Sequence, residues 1–506
     1  MPIPSKLRQL TRQGHGFAVF PEVRIFDKPG GKSIQHLLFG DYITPPKNKT
    51  RTAYLKWNES SMQEHEGETW LRVRSRQDEG WIRLDEIQTG RLLEVNFVDI
   101  GQGDGCHLVT PADEHFVIDA GESDNMYRFL RWRFNLAKPG GQLPKFHAVV
   151  SHPDEDHYKG FAPLLSSPPA GQSRQIHFEK IYHNGIIQRT GSTLGASASV
   201  NGRKYLTDFI DTHKKLTRVL DAEGKKSNYE KILAGAIATF PDISIEAVSK
   251  DLTKENLLYK DKSLKLEVLA PVPELVGGKK ALRWFSDDVG KTKNGHSVVL
   301  MARIGKVKVL LGGDLNSKSA DYLMSQYSGK DIEEVKKRVA EATGNNSAAQ
   351  AELRQIIEDC RPFFQSEVAK SCHHGSHDIT NEFLQAINPI ATVISSGDEE
   401  SFCHPRPETL GAIGKYGRGD RPLIYSTELS RSSSEYIVIE AKKLKSDKVK
   451  QRVVSTYGMI TLRTDGEKLI LAQKLEKQRS SFGQITKWQI DKLIWNDERG
   501  EFISKK

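Results

Sequence analysis

The segment 148-AVVSHPDEDHYKG-160 joins an apolar run to two histidines and three acidic residues. The run at 148–150 predicts a buried strand, and the polar residues after it predict a loop held at the end of that strand. Two imidazoles and two carboxylates within six residues can form parts of two adjacent metal sites. These candidate ligands are His152, Asp154, Asp156 and His157. The alternative interpretation is a solvated acidic turn whose carboxylates begin a helix.

Polar side chains border other apolar runs as well. Asp119 ends the run "FVID" and is followed by Ala-Gly, Asp314 ends "VLLGGD", and a histidine pair follows "EVAKSC". Taken singly, each of these residues is as well explained by a turn or a helix cap. Together they predict an α/β fold whose polar loops meet at the carboxyl ends of the strands, where such folds place their chemistry. The residues of these other loops are Asp119, His296, Asp314, His373, His374 and His404.

The chain changes in character along its length. Residues 1–90 contain short alternating strands separated by Gly, Pro, Asn and Asp, which predicts a small all-β barrel. Residues 91–475 carry the strand–loop–helix pattern, with a polar, lysine-bearing insertion near 186–262 and a helical insertion near 318–365. Residues 476–506 form a C-terminal tail of mixed charge, for which we expect a docked helix.

Composition excludes several classes of protein. The 506 residues carry a net charge of +9, which is compatible with a polyanionic partner, although many unrelated proteins are basic. Apolar stretches of about 18 residues are missing, so we expect no membrane span, and the basic N-terminus lacks the apolar region of a secretory signal. Four cysteines do not resemble a disulfide framework. We therefore expect reduced thiols in a cytoplasmic protein.

The ordered motifs of residues 92–475 resemble the metallo-β-lactamase fold, and within it the hydrolase domain of the ComEC family of DNA-uptake proteins. These motifs are "VDIGQGDG", "FVIDAG", "VVSHPDEDHYKG", "NGHSVVL", "VLLGGDL", "VAKSCHHGS", "VISSG" followed by "CHPRPETL", and "YGMITLRTDG". The resemblance implies a four-layer αββα sandwich with a dinuclear metal site between its two sheets. Residues 1–90 resemble bacterial Src-homology-three-like domains, whose closing strand carries a Gly-Trp pair, here Gly80 and Trp81. Such domains bind peptides, cell-wall fragments or a partner domain, so this second resemblance implies a binding or scaffolding appendage that could bind a protein partner.

The first resemblance also implies roles for individual residues. Two divalent ions, zinc or manganese, would share Asp314 as a bridging ligand, while Asp119 would support the loop without touching a metal. His404 would lie over the site to bind substrate or donate a proton, and His373 is a second candidate donor. Asp156 is both a ligand and a catalytic residue. The implied metal ligands are His152, Asp154, Asp156, His157, His296, Asp314 and His374.

Several positions depart from the family pattern. The wider superfamily has histidine where Asp154 stands, which leaves manganese open beside zinc. His296 stands where ComEC relatives often carry asparagine, so His183 in "IYHNG" is a rival for the middle ligand. The positions that could contact substrate phosphate, or could instead be solvated or part of turns, are Lys159, Ser376, Ser395, Ser396 and Arg406.

These features favour a metal-dependent nuclease or phosphodiesterase with nucleic acid as its substrate. Two metal ions about 3.5–4 Å apart activate a bridging water and stabilise charge on the attacking and leaving oxygens, and a basic chain gains from neutralising phosphates. The same metals serve carbonyl chemistry, so a lactonase, a β-lactamase or a phosphorylcholine-type esterase is an alternative. A partner-gated effector module, recruited through the N-terminal barrel, is a third. The transmembrane channel of ComEC has no counterpart here, so DNA uptake is not implied.

Overall fold

The computed structural model describes residues 4–48, 50, 53–76, 78–168, 172–341, 347–397, 403–419, 421–427, 435–439, 450–454, 459–481 and 484–505. The chain divides into two compact units. The first unit combines Met1–Val95 with Thr110–Asp113 and Thr461–Lys506, and the second combines Asn96–Val109 with Glu114–Ile460. Among the helices that the structure describes, none is both long and apolar enough to cross a membrane.

The N-terminal part of the first unit is built from short antiparallel strands and one helix. Its elements are α1 (Ser5–Gln13), β1 (Gly16–Ala18), β2 (Glu22–Phe26), β3 (Ser33–Leu38), β4 (Tyr42–Ile43), β5 (Met62–His65), β6 (Glu68–Ser75), β7 (Asp78–Arg83) and β8 (Ile87–Gln88). They form sheets of order β4-β1-β8 and β3-β2-β7-β6-β5. Gly80 lies in β7, where a Cβ atom would collide with the Phe26 carbonyl oxygen, so the Gly-Trp pair meets a packing requirement. The expected small β domain is confirmed; helix α1 was not predicted.

The second unit begins with a largely parallel sheet of order β16-β13-β12-β11-β10-β9. Its segment of chain contains β9 (Leu93–Val98), β10 (Gly105–Val109), β11 (His115–Ala120), α2 (Asn125–Arg133), β12 (Lys145–Val150), α3 (Glu155–Tyr158), β13 (His177–His183), β14 (Ser197–Val200), β15 (Arg203–Leu206), α4 (His213–Asp221), α5 (Asn228–Thr239) and β16 (Ser244–Ala247). Strands β11, β12, β13 and β16 run parallel, so their carboxyl ends share one edge.

A second sheet of the same unit has the order β17-β18-β21-β22-β23-β24-β25, with β22 to β25 parallel. The elements are β17 (Leu257–Lys260), β18 (Leu264–Ala270), β19 (Glu274–Val276), β20 (Lys279–Arg283), α6 (Val289–Gly295), β21 (Val299–Ile304), β22 (Val307–Leu311), α7 (Ser317–Ser328), α8 (Ile332–Ala340), α9 (Ser347–Phe364), β23 (Val368–Lys370), α10 (Asn381–Ile387), β24 (Ala391–Ile394), α11 (Pro407–Tyr416), β25 (Leu423–Ser426), β26 (Glu435–Ile439) and β27 (Lys450–Val454). Strands β14, β15, β20 and β19 form a separate small sheet, and β26 pairs with β27.

The two large sheets pack face to face, and helices cover both outer faces. Ala148 and Val150 of β12 join a core with α2 and α5, and Leu310 of β22 joins a core with α7, α9 and α10. Because side chains alternate along a strand, the intervening residues, such as Leu311, face the other sheet. Leu311 lines a narrow cavity together with Phe97, Cys106 and Ile118 of the first sheet. The expected α/β fold with four αββα layers is confirmed.

Two regions add detail to that architecture. The described residues of the segment 318–365 are largely helical, as expected, and helices α7 and α9 supply the outer layer of the second sheet. At the C-terminus follow β28 (Met459–Thr464), β29 (Lys468–Ser481), β30 (Gln484–Asn496) and β31 (Glu501–Ser504). The expected helix over 476–506 is therefore wrong, because the backbone of β30 pairs with β29 and β31 instead. The domain limits proposed from the sequence remain predictions.

Candidate metal centre

The loop after β12 is held in place by Asp119, the last acidic residue of β11. Asp119 has a positive φ of 55°, and its Oδ1 accepts a hydrogen bond from the Ser151 amide at 2.7 Å. Its Oδ2 accepts from His157 Nδ1 at 2.9 Å. A histidine that donates through one ring nitrogen presents the other to a metal, so Asp119 orients His157 in the manner of a carboxylate–histidine–metal arrangement.

Glycine allows the neighbouring loop between β9 and β10 to approach this one. Gly103 has a φ of +101°, and a Cβ atom there would collide with the carbonyl oxygen of Asp156. The next residue, Asp104, donates its amide to that same oxygen at 3.2 Å. Residue 103 must therefore be glycine, because its backbone approaches Asp156 too closely for any side chain. This close approach of the "GQGDG" motif brings Asp104 to the edge of the site.

Four side chains converge at the carboxyl edges of the two sheets. Asp156 and His157 lie in the short helix α3 that follows β12, while Asp314 follows β22 and His374 follows β23. Asp314 Oδ2 lies 3.0 Å from His374 Nε2 and 3.3 Å from His157 Nε2. Asp156 lies 3.4 Å from His374 Nε2 through Oδ2 and 3.8 Å from His157 Nε2 through Oδ1. We call Asp156, His157, Asp314 and His374 the four-residue cluster.

These separations suit a cation. Ligands about 2.0–2.1 Å from a tetrahedral zinc ion stand roughly 3.3 Å from one another. The Nε2 atoms of His152, His157 and His374 are buried and, among the described residues, have no hydrogen-bond partner. Unpaired nitrogens that face carboxylates are costly unless an ion or a proton lies between them. Imidazole and carboxylate together fit zinc or manganese, so the residues present fit a divalent metal.

Two oxygen atoms orient the ring of His374, and no sequence pattern predicted that either of them lies next to it. Its Nδ1 donates to the Ser395 carbonyl at 3.0 Å and lies 3.2 Å from Asp104 Oδ1. Ser395 in turn donates its hydroxyl to the Gly103 carbonyl at 2.9 Å. Ser395 thus contributes to the position of His374 rather than facing open space.

Asp104 and Lys370 are site residues that sequence reasoning missed. The Lys370 ammonium contacts Asp104 Oδ2, donates to the Gly313 carbonyl at 3.1 Å and lies 3.6 Å from Asp314 Oδ1. Both Asp104 and Lys370 are buried. The one signal in the sequence was a lysine inside the apolar run "EVAKSC", since a lysine in a buried strand needs a partner.

The other side of the centre, formed by His152 and Asp154, differs from the four-residue cluster. His152 Nδ1 lies 3.0 Å from Ser151 Oγ, and its Nε2 lies 3.5 Å from Asp154 Oδ2. The buried ammonium of Lys293 contacts Asp154 Oδ1. The Asn294 amide, with its nitrogen directed to Asp154, donates to Oδ2 at 2.8 Å. We call His152 and Asp154 the His152 side.

Neither candidate for the middle ligand reaches the cluster in the described structure. His296 is buried, and its Nε2 donates to the Arg283 carbonyl at 2.7 Å. His183 accepts at Nδ1 from the Gly185 amide at 3.1 Å. Burial lowers the pKa of both histidines to about 4, so both are neutral. Each ring is thus bonded to a backbone group, that of His183 to the nearby Gly185 amide and that of His296 to a carbonyl of β20, while Asn294 lines the centre next to Asp154.

The centre opens into a cleft of about 390 Å³. The predicted residues that line it are Asp154, Asp156, Asp314, His373, His374, Ser376, His404 and Arg406. Lys159 is not itself a lining residue, but its ammonium donates to Glu122 and Glu155, both at 3.0 Å, and both of these carboxylates line the cleft. Ser396 is buried and its amide donates to Thr427 Oγ1 at 3.2 Å. The structure therefore places Arg406 in the lining of the cleft and Lys159 next to that lining, paired with two acidic residues, whereas Ser396 is bonded elsewhere.

The charged groups of the centre shift one another's pKa values. Burial acts to lower the pKa of His157 and His374, but the carboxylates of Asp314, Asp156, Asp119 and Asp104 outweigh it and raise both pKa values well above the usual range. Burial acts to raise the pKa of Asp314, and the two histidines outweigh it and lower that pKa well below the usual range. Without a metal, the carboxylates are therefore ionised and the two histidines hold protons.

Metal affinity is accordingly expected to increase with pH. A metal ligates neutral imidazole, so binding must displace the protons on His157 and His374, and this competition weakens as pH rises toward their raised pKa values. For each proton displaced, the dissociation constant falls about tenfold per pH unit. Calorimetric titration of the metal-free protein with Mn²⁺ between about pH 6 and 9, in buffers of different ionisation enthalpy, measures both slope and proton release. A dissociation constant independent of pH, with no proton release, would contradict this assignment.

Comparisons with known proteins add limited information. No family model matches the chain, and no curated protein matches it. Among solved structures, a metal-dependent hydrolase of the β-lactamase superfamily has 14% identity and a TM-score of 0.29, with 66% of this chain and 96% of that chain covered. Zn²⁺-bound PqqB from Methylobacterium extorquens has 10% identity and a TM-score of 0.31, with 65% and 85% covered. At these values, the side chains of the centre itself must carry any inference about function.

Proposed function

We propose that this protein is a metal-dependent hydrolase that cleaves phosphodiesters, with nucleic acid as its substrate. The observation that carries the proposal is the four-residue cluster, whose two carboxylates and two oriented imidazoles face one another at the base of an open cleft. Divalent ions bound there would lower the pKa of water and stabilise charge on the reacting oxygens. Zinc and manganese, and two ions rather than one, are part of the proposal.

The residues above the cluster support an anionic substrate. Arg406, His373, His377 and His404 line the same cleft, and a guanidinium can bind phosphate oxygens through two parallel hydrogen bonds. The net charge of +9 favours approach of a polyanion. Ser376 also lines the cleft, but its hydroxyl accepts from the Asp378 amide at 3.2 Å. Arg406 is therefore the proposed phosphate-binding residue.

Proton transfer is the proposed role of His404 and His373. Burial lowers the pKa of His404 to about 4 and also lowers that of His373, with the neighbouring histidines adding to the effect on His404. Both imidazoles are thus neutral and able to accept a proton near neutral pH. An anionic phosphate bound beside them would raise these pKa values, so that the same imidazole could then donate a proton to the leaving oxygen.

A substrate panel tests the proposal. Metal-loaded protein is incubated with single- and double-stranded DNA and RNA, bis-p-nitrophenyl phosphate, a lactone, a cephalosporin and p-nitrophenylphosphorylcholine, each with Mn²⁺ or Zn²⁺. We expect cleavage of the nucleic acids and the phosphodiester, and loss of it in Asp156→Ala. Asp221→Asn, which removes an exposed carboxylate of α4, is the matched control and is expected to keep wild-type activity. Turnover confined to the lactone, cephalosporin or phosphorylcholine ester would replace the phosphodiesterase assignment with a small-molecule hydrolase.

Partner binding and location remain part of the proposal. The N-terminal part of the first unit has the short strands expected of a partner-binding barrel, and all four cysteines are free thiols, as in a reducing cytoplasm. Deleting residues 1–90 tests the barrel. Unchanged activity with lost partner binding would support recruitment, and raised activity would support restraint of the hydrolase.

A further inference from the structure

Lys293 is a buried lysine beside a predicted metal ligand. It lies near the end of helix α6, and 7% of its surface is exposed. Its ammonium contacts Asp154 Oδ1 and donates to Gln188 Oε1 at 2.7 Å. Because two acceptors hold the ammonium and little of it meets solvent, Lys293 has a defined place in the centre rather than a mobile one at the surface.

Both carboxylate oxygens of Asp154 therefore already have partners, which weakens Asp154 as a ligand for a cation. One carboxylate oxygen accepts from Lys293, and the other faces the Asn294 amide at 2.8 Å and His152 Nε2 at 3.5 Å. Groups of three or more His, Cys, Asp or Glu ligand atoms within 4.8 Å of one another occur in the described structure, and Asp154 belongs to none of them. His152 belongs to one, with His157 and Asp314.

The four-residue cluster is different. Within the part of the chain that the structure describes, the carboxylate oxygens of Asp156 pair with His157 and His374 and with no ammonium. Lys370 approaches Asp314 at Oδ1, 3.6 Å away, and leaves Oδ2 directed at the two histidines. The ligand atoms of Asp156, His157 and His374 lie within 4.8 Å of one another, so a cation here meets carboxylate and imidazole ligands without displacing a lysine.

The geometry points to two metal positions of unequal affinity, made unequal by Lys293. The four-residue cluster takes a divalent cation first and holds it tightly, whereas the His152 side takes a second cation weakly, because an ammonium already neutralises Asp154. This inference rests on the proposed metal-dependent function and goes beyond it by assigning an order of binding and the residue responsible.

The charge of the whole centre supports the same order. Five carboxylates, those of Asp104, Asp119, Asp154, Asp156 and Asp314, face two ammonium groups, those of Lys293 and Lys370. With the two histidines neutral, as metal ligation requires, these groups carry three negative units of net charge. A first divalent cation reduces the excess to one negative unit, so a second cation meets a weaker electrostatic attraction.

Replacing Lys293 with methionine tests this inference. Methionine keeps an unbranched side chain and removes the charge. We expect wild-type protein to retain one Mn²⁺ per chain after dialysis and to bind a second at least about 100-fold more weakly. Lys293→Met should retain two. The readouts are elemental analysis, calorimetric stoichiometry and the electron paramagnetic resonance spectrum, in which two adjacent Mn²⁺ ions give a coupled signal.

Controls separate this inference from the proposed function. Lys291→Met removes the same charge from an exposed position on the same helix and should keep the wild-type stoichiometry. Lys293→Gln also removes the charge but retains hydrogen-bonding capacity, and it should likewise raise the affinity for the second Mn²⁺ ion. It provides the test if the methionine variant fails to fold. Two equal affinities in wild-type protein, or an unchanged weak second affinity in both folded Lys293 variants, would overturn the inference. A complete failure of every variant and the wild type to bind Mn²⁺ or Zn²⁺ would instead reject the metal centre itself.

Discussion

Replacing Asp314 with asparagine should abolish tight metal binding and hydrolysis together. The substituted side chain would keep its shape, but the charge next to both His157 Nε2 and His374 Nε2 would be lost. Residues that only orient ligands typically contribute about 10–100-fold to metal affinity, so we expect a loss of more than about 100-fold here. The expected fall in kcat/KM is at least about 10³-fold, equivalent to roughly 4 kcal/mol of transition-state stabilisation.

The measurement for Asp314→Asn is metal content after dialysis, followed by kcat/KM on the best phosphodiester of the panel. Asp359→Asn is a matched control, because it neutralises a carboxylate of α9 that pairs with Lys330 at the surface. The control should behave as wild type. Unchanged metal content in Asp314→Asn would remove Asp314 from the centre.

Replacing Lys370 with methionine should produce the largest loss of stability. Lys370 is buried against Asp104 and Asp314, and removing it leaves two buried carboxylates without their ammonium. Breaking a buried ion pair from one side typically costs about 3–5 kcal/mol. The cost should be greatest in chelator and smaller with metal present, because a divalent cation would take over part of the neutralisation.

Urea unfolding of Lys370→Met with EDTA and with Mn²⁺ measures both effects. The double variant Lys370→Met/Asp104→Asn should recover part of the stability, since it removes one of the uncompensated charges. Lys318→Met, at an exposed position of α7, is expected to change the unfolding midpoint little. A loss below about 1 kcal/mol in Lys370→Met would show that the buried carboxylates do not depend on this ammonium.

Much of the centre could be predicted because its residues follow strands. Apolar runs place Asp119, Asp156, Asp314 and His374 at strand ends, and parallel strands carry their ends to one edge. Periodicity and residue type are local properties, so a single sequence reveals them. The alternation of strands, loops and helices predicted an α/β fold, and the four αββα layers were implied by the resemblance to the metallo-β-lactamase fold.

The paired lysines could not be predicted from the same information. Lys370 meets Asp104, 266 positions earlier, and Lys293 meets Asp154, 139 positions earlier. Such pairs form through packing of the two sheets, and neither member shows a local pattern that identifies its partner. Asp104 in particular is typical of a glycine-rich turn, and its role emerges only where Gly103 lets the loop approach Asp156.

Two other expectations depended on the same missing information. His183 and His296 both border strands, as ligands do, and only the orientation of the ring distinguishes a ligand from a histidine bonded to backbone. The expected C-terminal helix was wrong because the pairing of β30 with β29 and β31 is a long-range property that local composition does not reveal.

The four-residue cluster draws two ligands from helix α3, which follows β12, and two from the segments after β22 and β23, so each large sheet of the second unit supplies half of it. A bound cation would therefore cross-link the sandwich at its open edge. Removal of the metal by a chelator should therefore weaken the contact between the two sheets as well as end hydrolysis. Resistance to proteolysis should accordingly increase with metal occupancy.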